Sequence, residues 1–299
     1  MRKGRTLPEG PTIKNMADRL RAALTGQVIT GASSRYKKSR EEDWPTLLVG
    51  RTIMGVRSHG KNLFIDLSEG YIIYSHMLMW GSWHIYEPGE EWRKAEKLAR
   101  LVLETPGKVA VLFNAPLCDV IPPEHLQDHK TSALGPDLLA PDFDRAEVWR
   151  RIQLPENREK ELGEISLDQT VLTGIGNILK SEILFQAGLH PLKPAASLDE
   201  NEFEDFINYS LELLQSSYEK GMRKSFIPDW MRPEITSFGF VYRRRNSPCH
   251  LCQTPIEMIR QGEMQRSTYF CPTCQPLAGP VIPFQERLKP LQQTLRPTG

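Results

Sequence analysis

Four of the five cysteines fall in one short segment, as Cys249-His-Leu-Cys252 and Cys271-Pro-Thr-Cys274. The resulting C-x2-C-x18-C-x2-C spacing lies within the pattern of a zinc site. Each pair points two thiolates at one metal, and four thiolates close a tetrahedron that leaves no position for water. One structural Zn2+ held by Cys249, Cys252, Cys271 and Cys274 therefore folds this segment and does no chemistry. His250 sits inside one knuckle, but four cysteines already suffice. Between the knuckles, Ile256–Arg260 and Ser267–Phe270 read as the strands of a hairpin, with Arg266 on the returning edge. A guanidinium there suits a phosphate, and a merely solvated arginine fits the same facts. Cys118 stands apart in Ala115-Pro-Leu-Cys118 and reads as a small buried residue.

Upstream the periodicity changes twice. Residues 11–26 are expected to form an amphipathic helix, with Pro11 at its start, Ile13, Met16, Leu20 and Leu24 on one face, and Gly26 as its stop. Short strands then run to about residue 121: Gln27–Thr30, Thr52–Val56, Asn62–Leu67, Tyr71–Tyr74, Arg100–Leu103 and Lys108–Phe113, the last two flanking a Thr105-Pro-Gly107 turn. Such closely spaced strands suggest a sandwich or barrel. The Pro-rich segment from Gly135 to Asp142 marks a domain boundary, and helices follow. Asn177 is placed as the cap of a helix reaching Ala187, and Gly188 ends it. Ser197 and Glu200 read as the capping box of a helix to about Lys220, whose stripe of Phe203, Phe206, Ile207, Leu211, Leu214 and Tyr218 is core. The tail holds five prolines in the 24 residues from Pro276, so little regular structure is expected there.

The net charge is only +1, from 38 basic and 37 acidic residues, so composition argues for no particular partner. The basic islands Arg35–Arg40 and Arg243–Arg245 fit a solvated face or a nucleic-acid contact. No apolar run approaches the roughly 18 residues of a membrane span. The start, Met1 to Leu7, is basic without the apolar stretch of a signal peptide. A cytoplasmic protein is expected, nucleoid-associated if the source is prokaryotic. In Leu167–Asn177, Gly174 and Gly176 let the backbone approach a partner closely and lead into a helix N-terminus, which favours anions; close packing between helices explains them equally.

Taken in order, several short stretches resemble the formamidopyrimidine-DNA glycosylase/endonuclease VIII family, over about residues 7–275. They are Pro8-Glu-Gly-Pro11, Ser58-His-Gly-Lys61-Asn-Leu, Ser75-His-Met-Leu-Met-Trp-Gly81, Leu134-Gly-Pro-Asp137, Gly174-Ile-Gly-Asn-Ile178 with Ser181–Phe185 and Ala187–Pro191, Tyr242-Arg-Arg, the four cysteines and Arg266-Ser-Thr-Tyr. The resemblance implies an α+β fold: an N-terminal β-sandwich with flanking helices, then a helix-two-turn-helix domain with a C-terminal β-hairpin zinc finger. It divides the chain into an extension (1–7), a catalytic domain (8–134), a linker (135–150), a helical domain (151–239), the zinc finger (240–275) and the tail (276–299). DNA would cross a cleft between the two lobes.

The resemblance also implies a bifunctional DNA glycosylase and abasic-site lyase, a monomer acting on damaged double-stranded DNA away from any membrane. Pro8 would attack C1′ through a free secondary amine, Glu9 would be the acid/base group, and Lys61 and Arg266 would assist at phosphate and leaving group. Asn177 would hold backbone phosphate. Leu78, Met79 and Trp80 would fill the gap left by the extruded base. Three departures stand out. Pro8 nitrogen is an amide while residues 1–7 precede it, and a start codon written here as Leu7 but translated as methionine would resolve this. Thr12 stands where the family has glutamate, and Ala133 where endonuclease VIII has arginine. Trp80 and the Leu167-Asp-Gln turn favour oxidised pyrimidines. A purine-directed formamidopyrimidine/8-oxoguanine glycosylase, or a catalytically silent zinc-finger protein that binds damaged DNA, remains the alternative.

Overall fold

A computed structural model describes residues 8–295; the Met1–Leu7 extension and its start-site question lie outside them. The chain divides between Ala133 and Leu134 into two units.

The first unit opens with helix α1 (Gly10–Leu24), which has Pro11 in its first turn. Its buried face is Ile13, Ala17, Leu20 and Leu24, each at most 1% exposed. Each large aliphatic chain so placed contributes about 1.5–3 kcal/mol. The first strand, β1 (Gly31–Ser34), starts later than the expected Gln27–Thr30, where Val28 makes only an isolated bridge to Thr52. Two short helices, α2 (Lys37–Glu41) and α3 (Trp44–Leu48), precede β2 (Ile53–His59), β3 (Asn62–Leu67), β4 (Ile72–His76), β5 (Ser82–Tyr86), β6 (Ala99–Glu104), β7 (Val109–Phe113) and β8 (Leu117–Ile121).

These strands form two antiparallel sheets, ordered β1-β6-β7-β5 and β2-β3-β4-β8. Their facing sides meet in one core with α1: Ile53, Val56, Leu63, Ile65 and Ile73 from one sheet, Leu101, Leu103, Ala110 and Leu112 from the other. This is the expected sandwich. Alternation is strict on β7, whose Val111 and Phe113 turn outward under Trp92 and Leu98. Two strands escaped the sequence reading. β5 mixes Ser82 and His84 with its aromatics, and β8 is an edge strand whose Cys118 is partly buried against the core. The first basic island lies on and beside α2 and pairs with acids, Lys38 with Asp119 at 2.6 Å and Arg35 with Glu96 at 3.2 Å, as a solvated face does.

The second unit holds α4 (Arg145–Ile152), α5 (Leu162–Ile165), α6 (Asn177–Ala187), α7 (Glu200–Lys220), the hairpin β9 (Glu257–Gln261) and β10 (Arg266–Phe270), and α8 (Phe284–Leu295). Only Asn177 of the eleven residues of α6 escapes full burial, so this helix is the axis of the unit. Two caps differ from expectation. Gly176 caps α6, with Asn177 already helical. Asp199 and Glu202, not Ser197 and Glu200, form the reciprocal box of α7. The second shift follows from Asp being as good a cap as Ser. The tail is also more regular than its prolines implied: α8 tolerates Pro290 and buries Phe284, Arg287 and Leu288.

Candidate active site and metal centre

Pro8 and Glu9 lead directly into α1. Glu9 is the N-cap residue in extended conformation, its carbonyl accepting from Thr12 and Ile13 at 2.9 and 3.1 Å, and its side chain is only 1% exposed. A buried carboxylate at a helix start is stabilised as an anion by the dipole, and it is an uncommon place for one without function. Helix α1 packs on β2 and β3. These strands turn at Gly60-Lys61, with His59 opposite Asn62, so Lys61 projects from a two-residue hairpin whose Gly60 takes φ 56°. Its charge is felt on the next strand. Burial, then Lys61 and Lys130, hold the His76 imidazole down at about 4.

Past His76, the chain makes a tight turn before β5. The Gly81 N–H donates to the Met77 carbonyl at 2.8 Å. A side chain at Gly81 would meet Met77 Cα at 2.8 Å and Ala115 Cα at 3.0 Å, so only glycine fits. Met77 is fully buried, whereas Leu78, Met79 and Trp80 are 46, 51 and 59% exposed. Three consecutive large apolar side chains held outward by a fixed turn are unusual on a surface.

In the second unit, Gly174 adopts φ 110° and would place a Cβ 2.8 Å from Leu214, so both reasons for a glycine apply. Asn177 Nδ2 donates to the Ser267 carbonyl at 2.8 Å, which brings it beside Arg266 at the exposed start of β10. Its Oδ1 is buried with no partner among the described residues, leaving the amide half satisfied.

The four cysteine Sγ atoms lie within 4.8 Å of one another, with Cys252–Cys271 at 3.4 Å, Cys252–Cys274 at 3.5 Å and Cys249–Cys274 at 3.9 Å. Zn–S bonds of about 2.3 Å in a tetrahedron separate the sulfurs by about 3.8 Å. The set thus fits one closed zinc site. His250 turns away to Ser237 Oγ at 2.9 Å and supplies no ligand.

What sequence reasoning missed is the set of buried polar side chains that dock this finger. Glu182, fully buried on α6, accepts from the N–H groups of Phe240, Val241 and Tyr242 at 2.8, 3.0 and 2.8 Å. Burial pushes its pKa up, opposed by those three donors and by Arg244. Gln261 donates to Glu161 at 2.6 Å and to the Pro191 carbonyl at 3.1 Å. Gln275 donates to the Leu189 carbonyl at 2.8 Å and accepts from Cys271 N–H at 2.9 Å. Arg287 donates to the carbonyls of Phe185 and Gln186 at 2.9 and 2.7 Å, capping the end of α6 with charge. Polar residues scattered in helices look solvated from sequence; only the tertiary partner shows otherwise.

Known proteins resemble this chain in sequence and fold. Residues 7–116 match the formamidopyrimidine-DNA glycosylase N-terminal domain, 134–227 the formamidopyrimidine-DNA glycosylase H2TH domain, and 246–277 a zinc finger found in FPG and IleRS. The probable endonuclease 8 2 of Streptomyces coelicolor is 34% identical over 278 residues, covering 92% of this chain and 95% of that protein. Endonuclease 8 of Escherichia coli is 30% identical over 271 residues, covering 90% and 100%. A solved structure of Lactococcus lactis formamidopyrimidine DNA glycosylase with DNA containing an AP site superposes with a TM-score of 0.73 at 22% identity, over 90% of this chain and 99% of that one, which shows a shared fold.

Proposed function

From the premise that this chain belongs to the formamidopyrimidine-DNA glycosylase/endonuclease VIII family, we propose how its own residues carry out the reaction. The chain is a DNA glycosylase and abasic-site lyase of base-excision repair. Pro8 is the nucleophile. Its nitrogen attacks C1′, the bond to the base breaks, and the resulting iminium acidifies C2′–H, so that elimination cleaves the C3′–O bond and a second elimination the C5′–O bond. A free α-amino group titrates near pH ~8 and is partly unprotonated at neutrality, unlike lysine; an acylated proline nitrogen has no basic lone pair at all. The chemistry therefore requires a chain that begins at Pro8. The match to the N-terminal domain, which starts at residue 7, supports that start.

The buried Glu9 carboxylate directly after Pro8 is the observation that carries this assignment. Glu9 supplies and removes protons at the sugar. Lys61, on its hairpin tip, and the neighbouring Asn177 and Arg266 grip phosphates, and Leu78, Met79 and Trp80 fill the vacated stack. Oxidised pyrimidines are the preferred substrates. Two observations support that preference: the relatives at 30–34% identity are named endonuclease 8, and residues 221–232, the place of a purine-capping loop, are folded down with Met222, Phe226, Ile227 and Met231 buried. The enzyme works as a monomer on damaged duplex DNA in the cytoplasm. Among the described residues no helix is long and apolar enough to cross a membrane.

Borohydride reduction of the zinc-loaded protein starting at Pro8, mixed with abasic duplex DNA, yields a covalent adduct that Pro8→Gly and Glu9→Gln impair. Absence of any adduct from that protein rules the nucleophile out. A panel of duplexes carrying oxidised pyrimidines or purines reads the preference.

A further inference from the structure

Resting on the wedge role given above to Leu78, Met79 and Trp80, we propose that His76 is a positioning residue that fixes this wedge through its Nδ1 atom. The Leu78 N–H donates to His76 Nδ1 at 3.1 Å, two residues back along the chain. Leu78 takes φ 45°, a left-handed conformation that a leucine rarely adopts and that something must hold. The Met77 carbonyl, accepting from Gly81, closes the other end of the turn. Between these two bonds Leu78, Met79 and Trp80 are 46, 51 and 59% exposed, and the backbone turn sets where they leave the chain.

The bond specifies the imidazole. An acceptor Nδ1 requires a neutral ring with its proton on Nε2. Burial, Lys61 and Lys130 all disfavour the charged ring. Lys61 thus does a second task from its hairpin tip: it helps keep His76 able to accept, and so links the phosphate-gripping turn to the wedge. The geometry matches an Asx-turn, in which an Asn or Asp side chain accepts the N–H two residues on. Asn places its Oδ1 near the position of Nδ1, while Gln reaches only toward Nε2.

The test exploits that difference and needs no catalysis for its first readout. Amide exchange at Leu78 is followed by NMR on leucine-labelled protein. His76→Asn retains the protection of the native chain, and His76→Gln and His76→Leu exchange about five- to tenfold faster. The second readout is the ratio of cleavage at a paired lesion in duplex DNA to cleavage at an abasic site in a single strand, where nothing needs to be wedged open. That ratio falls about tenfold for Gln and Leu and returns toward the native value for Asn. An unprotected Leu78 amide in the native chain, or a Gln variant that outperforms Asn in both readouts, overturns the proposal, since the working atom would then be Nε2. Failure of the native chain to trap on abasic DNA would instead strike the enzymatic reading, and the exchange data would still decide the role of His76.

Discussion

The zinc hairpin and the Met77–Gly81 turn both present side chains to DNA in the reading above, yet they are built in opposite ways. The hairpin is embedded in polar interactions. Four thiolates, the Glu182 carboxylate and the amides of Gln261 and Gln275 tie it to buried backbone, and Arg287 caps the helix beneath. The turn has two hydrogen bonds, one close-fitting glycine and three exposed apolar side chains. A phosphate grip must hold its donors in fixed places, so the side chains beneath it are tied into buried hydrogen bonds. A wedge must leave water and enter a base stack, so its apolar surface has to stay uncovered until DNA arrives. The contrast says that mutational damage should be global in the first region and local in the second.

Zinc removal should have the largest effect. Structural zinc contributes about 10–16 kcal/mol to the folding of isolated fingers. Chelation, or Cys252→Ser, should abolish the single bound zinc and strip exchange protection from residues 246–277 while leaving the strands of the first unit protected. Metal analysis with hydrogen exchange checks this, and a metal-free hairpin that stays protected would break the comparison. Next comes Glu182→Gln. The amide keeps one acceptor oxygen where two oxygens received three N–H groups, and it turns an NH2 toward donors. A loss of about 2–4 kcal/mol is expected. Thermal unfolding should show a drop of roughly 5–15 °C; an unchanged midpoint would mean that the carboxylate does not hold the Phe240–Tyr242 segment.

Gly81→Ala probes the other region. The new Cβ meets backbone at 2.8 Å rather than a flexible side chain, so the turn must open, at a cost of about 1–3 kcal/mol. Duplex lesion cleavage should fall several-fold more than single-strand abasic cleavage, with the zinc hairpin undisturbed by hydrogen exchange. Equal losses on both substrates would mean that the turn is not a separate working part.

The two regions also differed in how far they could be read from sequence. The cysteine spacing fixes a metal site because thiolate geometry is local, and the near-continuous apolar runs of Asn62–Leu67 and Val109–Phe113 match strands buried on both faces. The residues that hold the finger in place, Glu182, Gln261, Gln275 and Arg287, carry no such signal. Their partners lie at separations such as Gln275 to Leu189, and a buried glutamine is spelled like a solvated one. The same applies to the α8 helix: its prolines argue for irregular chain, while its docking depends on the Arg287 guanidinium finding the end of α6. The wedge turn lies between these cases. Its apolar residues were visible in sequence, but not the left-handed Leu78 or the His76 atom that accepts from it.

The smallest effect expected concerns acid. Behind the wedge turn, β5 carries a chain of side-chain hydrogen bonds. Lys94 Nζ donates to Ser82 Oγ at 2.6 Å, and the His84 ring joins Ser82 Oγ through Nε2 and Tyr86 Oη through Nδ1, each at 3.0 Å. Burial together with Lys94, Arg93 and Arg19 lowers the His84 pKa from 6.5 to about 4. The unfolded chain then binds a proton that the folded chain refuses between those values. Stability from this group is complete above about pH 6.5 and declines as pH falls toward 4, the reverse of a salt-bridged histidine. Because the ring is partly exposed, solvent screens the effect and only a shallow slope is expected. His84→Gln, which has no proton to take up, should flatten the midpoint-versus-pH curve between 6.5 and 4 without altering zinc content. A slope as steep as that of the native chain would show that protonation at His84 does not reach the strand supporting the wedge.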